Sequence, residues 1–282
     1  VGSEMCIRDR DRRDKPAGTA LFTKRRRETE NRNKMLELQN VSYSVTENDT
    51  SDGSGASKEI IKNISLKIED AFTAITGPNG GGKSTLAKLI AGIIRPTSGS
   101  ILLDGQDITR MSITDRARAG ISFAFQQPVR FKGLTVKDLI MLASGDRKMT
   151  VAGVCEYLSA VGLCAREYVN REVNASLSGG ELKRIEIAMI LARGTKLSVF
   201  DEPEAGIDLW SFNNLIKVFE QMHEKTSGSI IIISHQERIL NIADRIIVIA
   251  DGQVRKSGSR EEVLEELLAA DTGCKYYKGQ EA

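Results

Sequence analysis

Residues Gly77 to Thr85 read Gly-Pro-Asn-Gly-Gly-Gly-Lys-Ser-Thr, between an apolar, β-branched run from Phe72 to Thr76 and an apolar-periodic run from Leu86 to Ala91 that stops at Gly92. The flanks have the composition of a buried strand and of a helix. Gly77, Gly82, Lys83 and Ser84 fit the spacing Gly-x-x-x-x-Gly-Lys-[Ser/Thr], with Pro78, Asn79, Gly80 and Gly81 as the variable middle. Glycines let such a loop curl so that its N–H groups face phosphate oxygens, and the positive end of the following helix favours the anion. Lys83 is suited to the β and γ phosphates and the Ser84 hydroxyl to Mg²⁺. A glycine-rich turn with no ligand is the plain alternative, and the strand before it and helix after it count against that reading.

A chain built round that loop is expected to alternate strands and helices. Leu36 to Val45 reads as a half-buried strand, Thr46 to Ser57 as a polar loop, and Glu59 to Ile61 and Ile64 to Ile68 as short strands. Ser100 to Leu103 follows as another strand of an antiparallel sheet beside the main core. Ile121 to Phe125, Leu197 to Phe200, Ser229 to Ile233 and Ile246 to Ile249 are apolar runs of strand length. Between Phe125 and Lys196 strand signals stop, and Thr135 to Leu142 and Val151 to Val161 have helical spacing, so a helical lobe over about 131–173 is expected. Helices are expected from Ser178 to about Ala192, Asp208 to Lys225, Gln236 to about Ile242 and Glu261 to Leu268. The fold class is α/β, a mostly parallel, doubly wound sheet with an antiparallel β subdomain and an inserted helical lobe; ligands of such sheets sit at strand carboxyl ends.

Chemistry-bearing residues fall at those ends. The strand from Leu197 closes on Asp201 and Glu202, which suits one carboxylate to Mg²⁺ and the second to an attacking water. Alone, an acidic pair after a strand is also a common solvated turn. His235 follows the strand Ile230 to Ile233 and could hydrogen-bond a γ-phosphate or the water, and Gln126 at another strand end can reach metal and water with its amide. His223, within a helix, has no assigned role. Ser178-Gly-Gly-Glu181 spells a capping box, but Gly179 and Gly180 lower helix stability, which suggests close approach of a phosphate belonging to another subunit's site.

At 282 residues and 40% hydrophobic content the chain can bury a sizeable core. No apolar run approaches the ~20 residues of a spanning helix. Four cysteines, Cys6, Cys155, Cys164 and Cys274, show neither zinc nor disulfide spacing, in keeping with a reducing cytoplasm. Residues 1–34 hold 11 Lys or Arg and 6 Asp or Glu, whereas the rest holds 29 and 32, so the body is mildly acidic and no nucleic-acid partner is expected. The opening Val-Gly-Ser-Glu-Met-Cys-Ile-Arg-Asp-Arg resembles translated sequencing-adapter peptides; residues 1–34 are therefore expected to be an artefactual or disordered tail, with the domain running over 35–282.

From Met35 to about Leu268 the sequence resembles the ATP-binding-cassette (ABC) ATPases. Gly77 to Thr85 is similar to the first Walker motif, Gln126 to the glutamine loop, Leu177 to Glu181 to the signature, Leu197 to Glu202 to the second Walker motif, Asp208 to the aspartate loop and His235 to the switch histidine. Tyr43 lies where the family places a ring against adenine. The resemblance implies ATP and Mg²⁺ as cofactors, hydrolysis to ADP and phosphate, and an ATP-dependent head-to-tail homodimer. Ala124 to Val129 and Leu177 to Arg184 look like the SufC-type ATPases of iron–sulfur cluster assembly, which implies a soluble scaffold partner of the SufB/SufD kind. Glu204 after Pro203 departs from the usual transporter pattern, whose partner would be a separate membrane permease. A non-hydrolysing module is disfavoured by Lys83, Glu202 and His235 together, and a DNA-repair ATPase by the want of a sustained heptad run.

Overall fold

The computed structural model describes residues 36–46, 57–174, 176–225 and 228–271. The expected tail at 1–34 and most of the polar loop after Thr46 lie outside the described residues, as do Cys6 and Cys274; Cys155 and Cys164 are free thiols.

Two sheets carry the molecule. The first is antiparallel, in the order β2-β1-β4-β5, from β1 (Leu36–Thr46), β2 (Ser57–Ile68), β4 (Ser98–Leu103) and β5 (Gln106–Asp107). The second has six strands in the order β10-β9-β3-β8-β7-β6: β3 (Phe72–Thr76), β6 (Ile121–Ala124), β7 (Leu197–Asp201), β8 (Ser229–Ile233), β9 (Arg245–Ala250) and β10 (Gln253–Ser259). Its first five paired strands are parallel and β10 alone runs antiparallel, at an edge.

The apolar runs have no polar face because this second sheet is covered on both sides. Successive side chains of a strand point to opposite faces, and the core divides accordingly. Phe72, Ala74, Phe200, Ile230, Ile232, Ile246 and Val248 belong to one cluster, with the helices of the lobe. Ile75, Leu197, Val199, Ile231, Ile233, Ile247 and Ile249 belong to the other, with the antiparallel sheet. Helix α1 (Lys83–Ala91) inserts Leu86, Leu89 and Ile90 into that second cluster.

The remaining helices are α2 (Ile113–Ala119), α3 (Val136–Ser144), α4 (Val151–Ala160), α5 (Ala165–Tyr168), α6 (Gly179–Arg193), α7 (Leu209–Lys225), α8 (Glu237–Leu240) and α9 (Arg260–Asp271). Of these, α3 to α5 form the helical lobe, closed by the predicted capping box at Ser178 and by a second at Thr135 and Asp138.

Several elements differ from expectation. The two short strands at 59–61 and 64–68 are one strand, β2, whose outward residues hid its continuity behind charge. Strand β10 was missed because an edge strand here needs little apolar surface; it exposes Gln253, Arg255 and Ser257. Helix α8 stops at Leu240, earlier than Ile242. Helix α2 has no apolar period because its buried side chain is Arg116, fully enclosed. The Arg116 guanidinium donates to Leu89 O at 2.5 Å and Ile90 O at 2.8 Å at the end of α1, and to Thr109 O at 2.9 Å. Burial lowers its pKa to about 10, which leaves it charged at neutral pH.

Candidate active site

The loop between β3 and α1 is fixed from behind by β9. Gly77 has φ +133°, and a Cβ there would lie 2.0 Å from the carbonyl oxygen of Ile249. Farther along, Gly81 N donates to Pro78 O (3.1 Å) and Gly81 O accepts from Gly252 N (3.0 Å). Asn79 and Gly80 form the exposed crest. The start of α1 has Gly82 as its cap, no side-chain acceptor and no acid in the first turn, so its N–H groups and positive dipole end are open to an anion. Lys83 is buried and folded back onto the loop, with Nζ donating to Gly77 O (2.8 Å) and Pro78 O (2.9 Å). Burial lowers the pKa of its ammonium, against the opposing pull of Glu202 and Asp201.

Parallel register brings the other strand ends to the same rim. Asp201 pairs with Ile233 across β7 and β8, and Ile75 of β3 pairs with Ile233 on the other side. Ser84 Oγ therefore reaches Asp201 Oδ1 at 2.8 Å. Glu202 follows in the left-handed region, φ +44°, with its N–H on Ile233 O at 3.0 Å. Its carboxylate meets two predicted partners: Gln126 Nε2 donates to Oε2 at 2.6 Å, and His235 Nε2 lies 3.6 Å from Oε1. Gln126, Asp201, Glu202 and His235, drawn from three strand ends, thus lie at one rim with Lys83 and Ser84 from one helix start.

Ser84 Oγ and Asp201 offer the hard oxygen donors that Mg²⁺ prefers, and Gln126 supplies an amide nearby. Burial pushes the Asp201 carboxyl up, despite the Ser84 hydrogen bond, and a bound dication would offset that cost. Among the described residues no group of three or more His, Cys, Asp or Glu side chains is placed to hold a metal; Mg²⁺ held by one carboxylate, a hydroxyl and substrate phosphates needs no such group.

Six predicted residues stand apart from this group. Tyr43, half-buried on β1, is paired with Ile61, whose side chain lies against Gly82, so it flanks the loop one strand away. Ser178 and Gly179 are exposed at the start of α6. Gly180 is buried, and a Cβ there would meet Ser211 at 3.3 Å, so close packing against α7 accounts for one of the paired glycines. Asp208 Oδ1 accepts from Ser211 N at 3.0 Å at the start of α7. Thr85 is half-buried in the first turn of α1.

Two arrangements were not foreseen. Glu204 accepts from Ser234 Oγ at 2.5 Å, and Ser234 Oγ accepts from Gln236 N at 3.0 Å, so the residue that breaks the transporter pattern braces the turn carrying His235. Lys183 and Glu186 of α6 hold the backbone next to Gln126. The available signal was a pair of charges, i and i+3, on a helix otherwise buried almost all round.

The His235 environment gives a pH expectation. Burial first, then the charge of Lys83, lowers its pKa below 6.5, with Glu202 opposing. A histidine depressed in the folded state resists protonation there, so stability is kept above its unfolded value near 6.5 and lost progressively as the pH falls from there through the folded value. An NMR titration of His235 should show a midpoint below 6.5, and a midpoint above it would contradict the geometry.

Residues 61–205 match the family model described as ABC transporter. The chain belongs to the ABC ATPases. It is 42% identical over 216 residues to an uncharacterized ABC transporter ATP-binding protein of Methanocaldococcus jannaschii, covering 74% of this chain and 86% of that protein. The energy-coupling factor transporter ATP-binding protein EcfA of Malacoplasma penetrans is 30% identical over 250 residues, covering 86% of this chain and 83% of that one. A dimeric ATP-binding cassette in a post-hydrolysis state with ADP and phosphate superposes with a TM-score of 0.68 at 24% identity, over 80% of this chain and 98% of that one, which shows the shared fold. As an ABC ATPase the chain binds ATP and hydrolyses it. Both relatives' names are those of transporter ATP-binding proteins.

Proposed function

We propose that this ABC ATPase is the ATP-hydrolysing subunit of a membrane transporter whose permease is a separate chain. The observation that carries this reading is the position of Gln126. On one side it touches Glu202, and on the other its neighbours Phe125, Val129 and Phe131 line an apolar groove of about 380 Å³ shared with Ile113 and Ala117 of α2. Ile113, Phe125 and Val129 are 55%, 41% and 49% exposed. An apolar helix end of a permease suits that groove, and movement at Gln126 on hydrolysis would reach it directly. Among the described residues no helix is long and apolar enough to cross a membrane.

Within the site, the phosphate loop and Lys83 bind the β and γ phosphates, Tyr43 stacks on adenine, and Ser84, Asp201 and Gln126 hold Mg²⁺, which supplies charge neutralisation on the transferred phosphoryl group. Glu202 polarises the attacking water and His235 holds the γ-phosphate end. Ser178, Gly179 and Gly180, with Asp208, face the nucleotide of a second copy in a head-to-tail dimer. Dimeric association of the structurally similar cassette supports that arrangement.

A second reading, an ATPase acting on a soluble iron–sulfur scaffold, is favoured by the SufC-like stretches at Ala124 and Leu177 and by Glu204 with its Ser234 bond. Tagged protein recovered separately from soluble and membrane fractions decides between them. A polytopic membrane protein in stoichiometric amount, released by ATP or lost on Phe125→Asp, is the expected result. A soluble partner that carries iron under anaerobic conditions, with no permease, would overturn the transporter reading.

A further inference from the structure

Strand β6 pairs with β7 only as far as Ala124 and Phe200, so the backbone of Phe125 leaves the ladder with its N–H and C=O unpaired by strand neighbours. Both are taken by one helix. Phe125 N donates to Glu186 Oε1 at 3.3 Å, and the Lys183 ammonium donates to Phe125 O. The two side chains also form an ion pair, Nζ to Oε2 at 3.6 Å, with the lysine side chain 2% and the glutamate 17% exposed. Burial drives the Lys183 pKa down and the Glu186 pKa up, each opposed by the other's charge. Burying two charges to tie down one loop residue is costly, and an apolar pair would fill the same space. The next residue in the chain is Gln126, whose amide is on Glu202.

We propose that Lys183 and Glu186 are positioning residues for hydrolysis, holding the Phe125 backbone from the signature helix α6 so that Gln126 stays on Glu202. Lys183 fixes the carbonyl of the peptide that leads into Gln126, and Glu186 fixes the N–H on the other side of the same residue. Rotation of that peptide would swing the amide away from Glu202. The inference rests on the reading of Glu202 as the water-activating group, and it goes beyond that reading by assigning two residues that touch neither nucleotide nor water.

Steady-state ATPase kinetics in two backgrounds test it. Lys183→Met is expected to lower kcat on the order of 10- to 100-fold, the scale of loss from slight misplacement of a reacting group, with KM for ATP changed less than about twofold. In a Gln126→Ala background the same substitution should change kcat by less than about twofold, because residues acting through one another are not additive. Glu186→Gln, which keeps an acceptor for Phe125 N–H, should recover most of what Glu186→Ala loses. Equal losses from Lys183→Met in both backgrounds, or no loss in the parent, would overturn the proposal. If Lys183→Met does not fold, Lys183→Met with Glu186→Leu, which leaves no unpaired buried charge, is carried through the same two backgrounds and read in the same way. Failure of the underlying reading is distinguishable: turnover in Glu202→Gln near the parental rate removes Glu202 from its role, whereas loss there with full activity in the Lys183 variants removes only this inference.

Discussion

Glu202→Gln should lower ATP turnover on the order of 10²- to 10⁴-fold, the usual effect of removing a general base, while ATP binding is retained. The substitution is isosteric, and the hydrogen bond from Gln126 at 2.6 Å can still be accepted by the side-chain oxygen of a glutamine. Nothing in the phosphate loop touches the replaced atom, since Lys83 bonds Gly77 and Pro78 and Ser84 bonds Asp201. With hydrolysis stopped and binding intact, the ATP-bound form should accumulate as a dimer, visible as a doubled mass in light scattering with MgATP. Lys83→Ala gives the opposite separation, losing affinity first. Phosphate release at near-parental rate in Glu202→Gln would assign the water to another group, with His235, 3.6 Å from Glu202, the next to test.

Gly77→Ala should be the most damaging added methyl among the described glycines. At φ +133° the added Cβ would sit 2.0 Å from Ile249 O, and that oxygen belongs to a central strand that cannot swing aside. Either β9 separates from β3, where Thr76 pairs with Val248, or the loop leaves its phosphate-binding shape. A backbone clash of this kind belongs with the exceptional losses of about 4 kcal/mol or more, a fall in melting temperature of roughly 8 °C or more at 2–4 °C per kcal/mol in a domain of this size. Gly80 provides the control. Its φ is +76° with nothing within 4 Å of an added Cβ, so Gly80→Ala should cost only the about 1–2 kcal/mol of left-handed backbone. Thermal melts of the two variants, with ATP titrations, check this; melting of Gly77→Ala within 2 °C of the parent would refute it.

The parts of the fold that were readable from sequence are those where one physical demand acts alone. The isoleucines of β8 have to be a strand buried on both faces, and Gly77 to Ser84 allows little besides a loop from strand to helix. Where a polar residue does a structural task, the pattern is lost: Arg116 stands in for a core side chain in α2, and β10 needs only to cover an edge. The candidate site was legible because strand ends carry it. Glu204 and the Lys183–Glu186 pair were not, since their partners, Ser234 and the Phe125 backbone, are neighbours only once the chain has folded.

The strand order has a further consequence during synthesis of the chain. The antiparallel sheet is complete once Asp107 has been made, whereas β3, which precedes the phosphate loop, lies between β8 and β9. Gly77 is therefore translated long before Ile249, the residue against which it is pressed. At typical rates of 5–20 residues per second that interval lasts about 10 to 35 s. Until β8 has been made, β3 has two open edges, the kind of surface that pairs with foreign strands, and until β9 has been made the loop has no wall behind it. The growing chain thus acquires its nucleotide site nearly last, so ATP cannot help the early part of the molecule to fold, and a ribosome stalled before β9 holds a chain whose first Walker motif is present in covalent structure only.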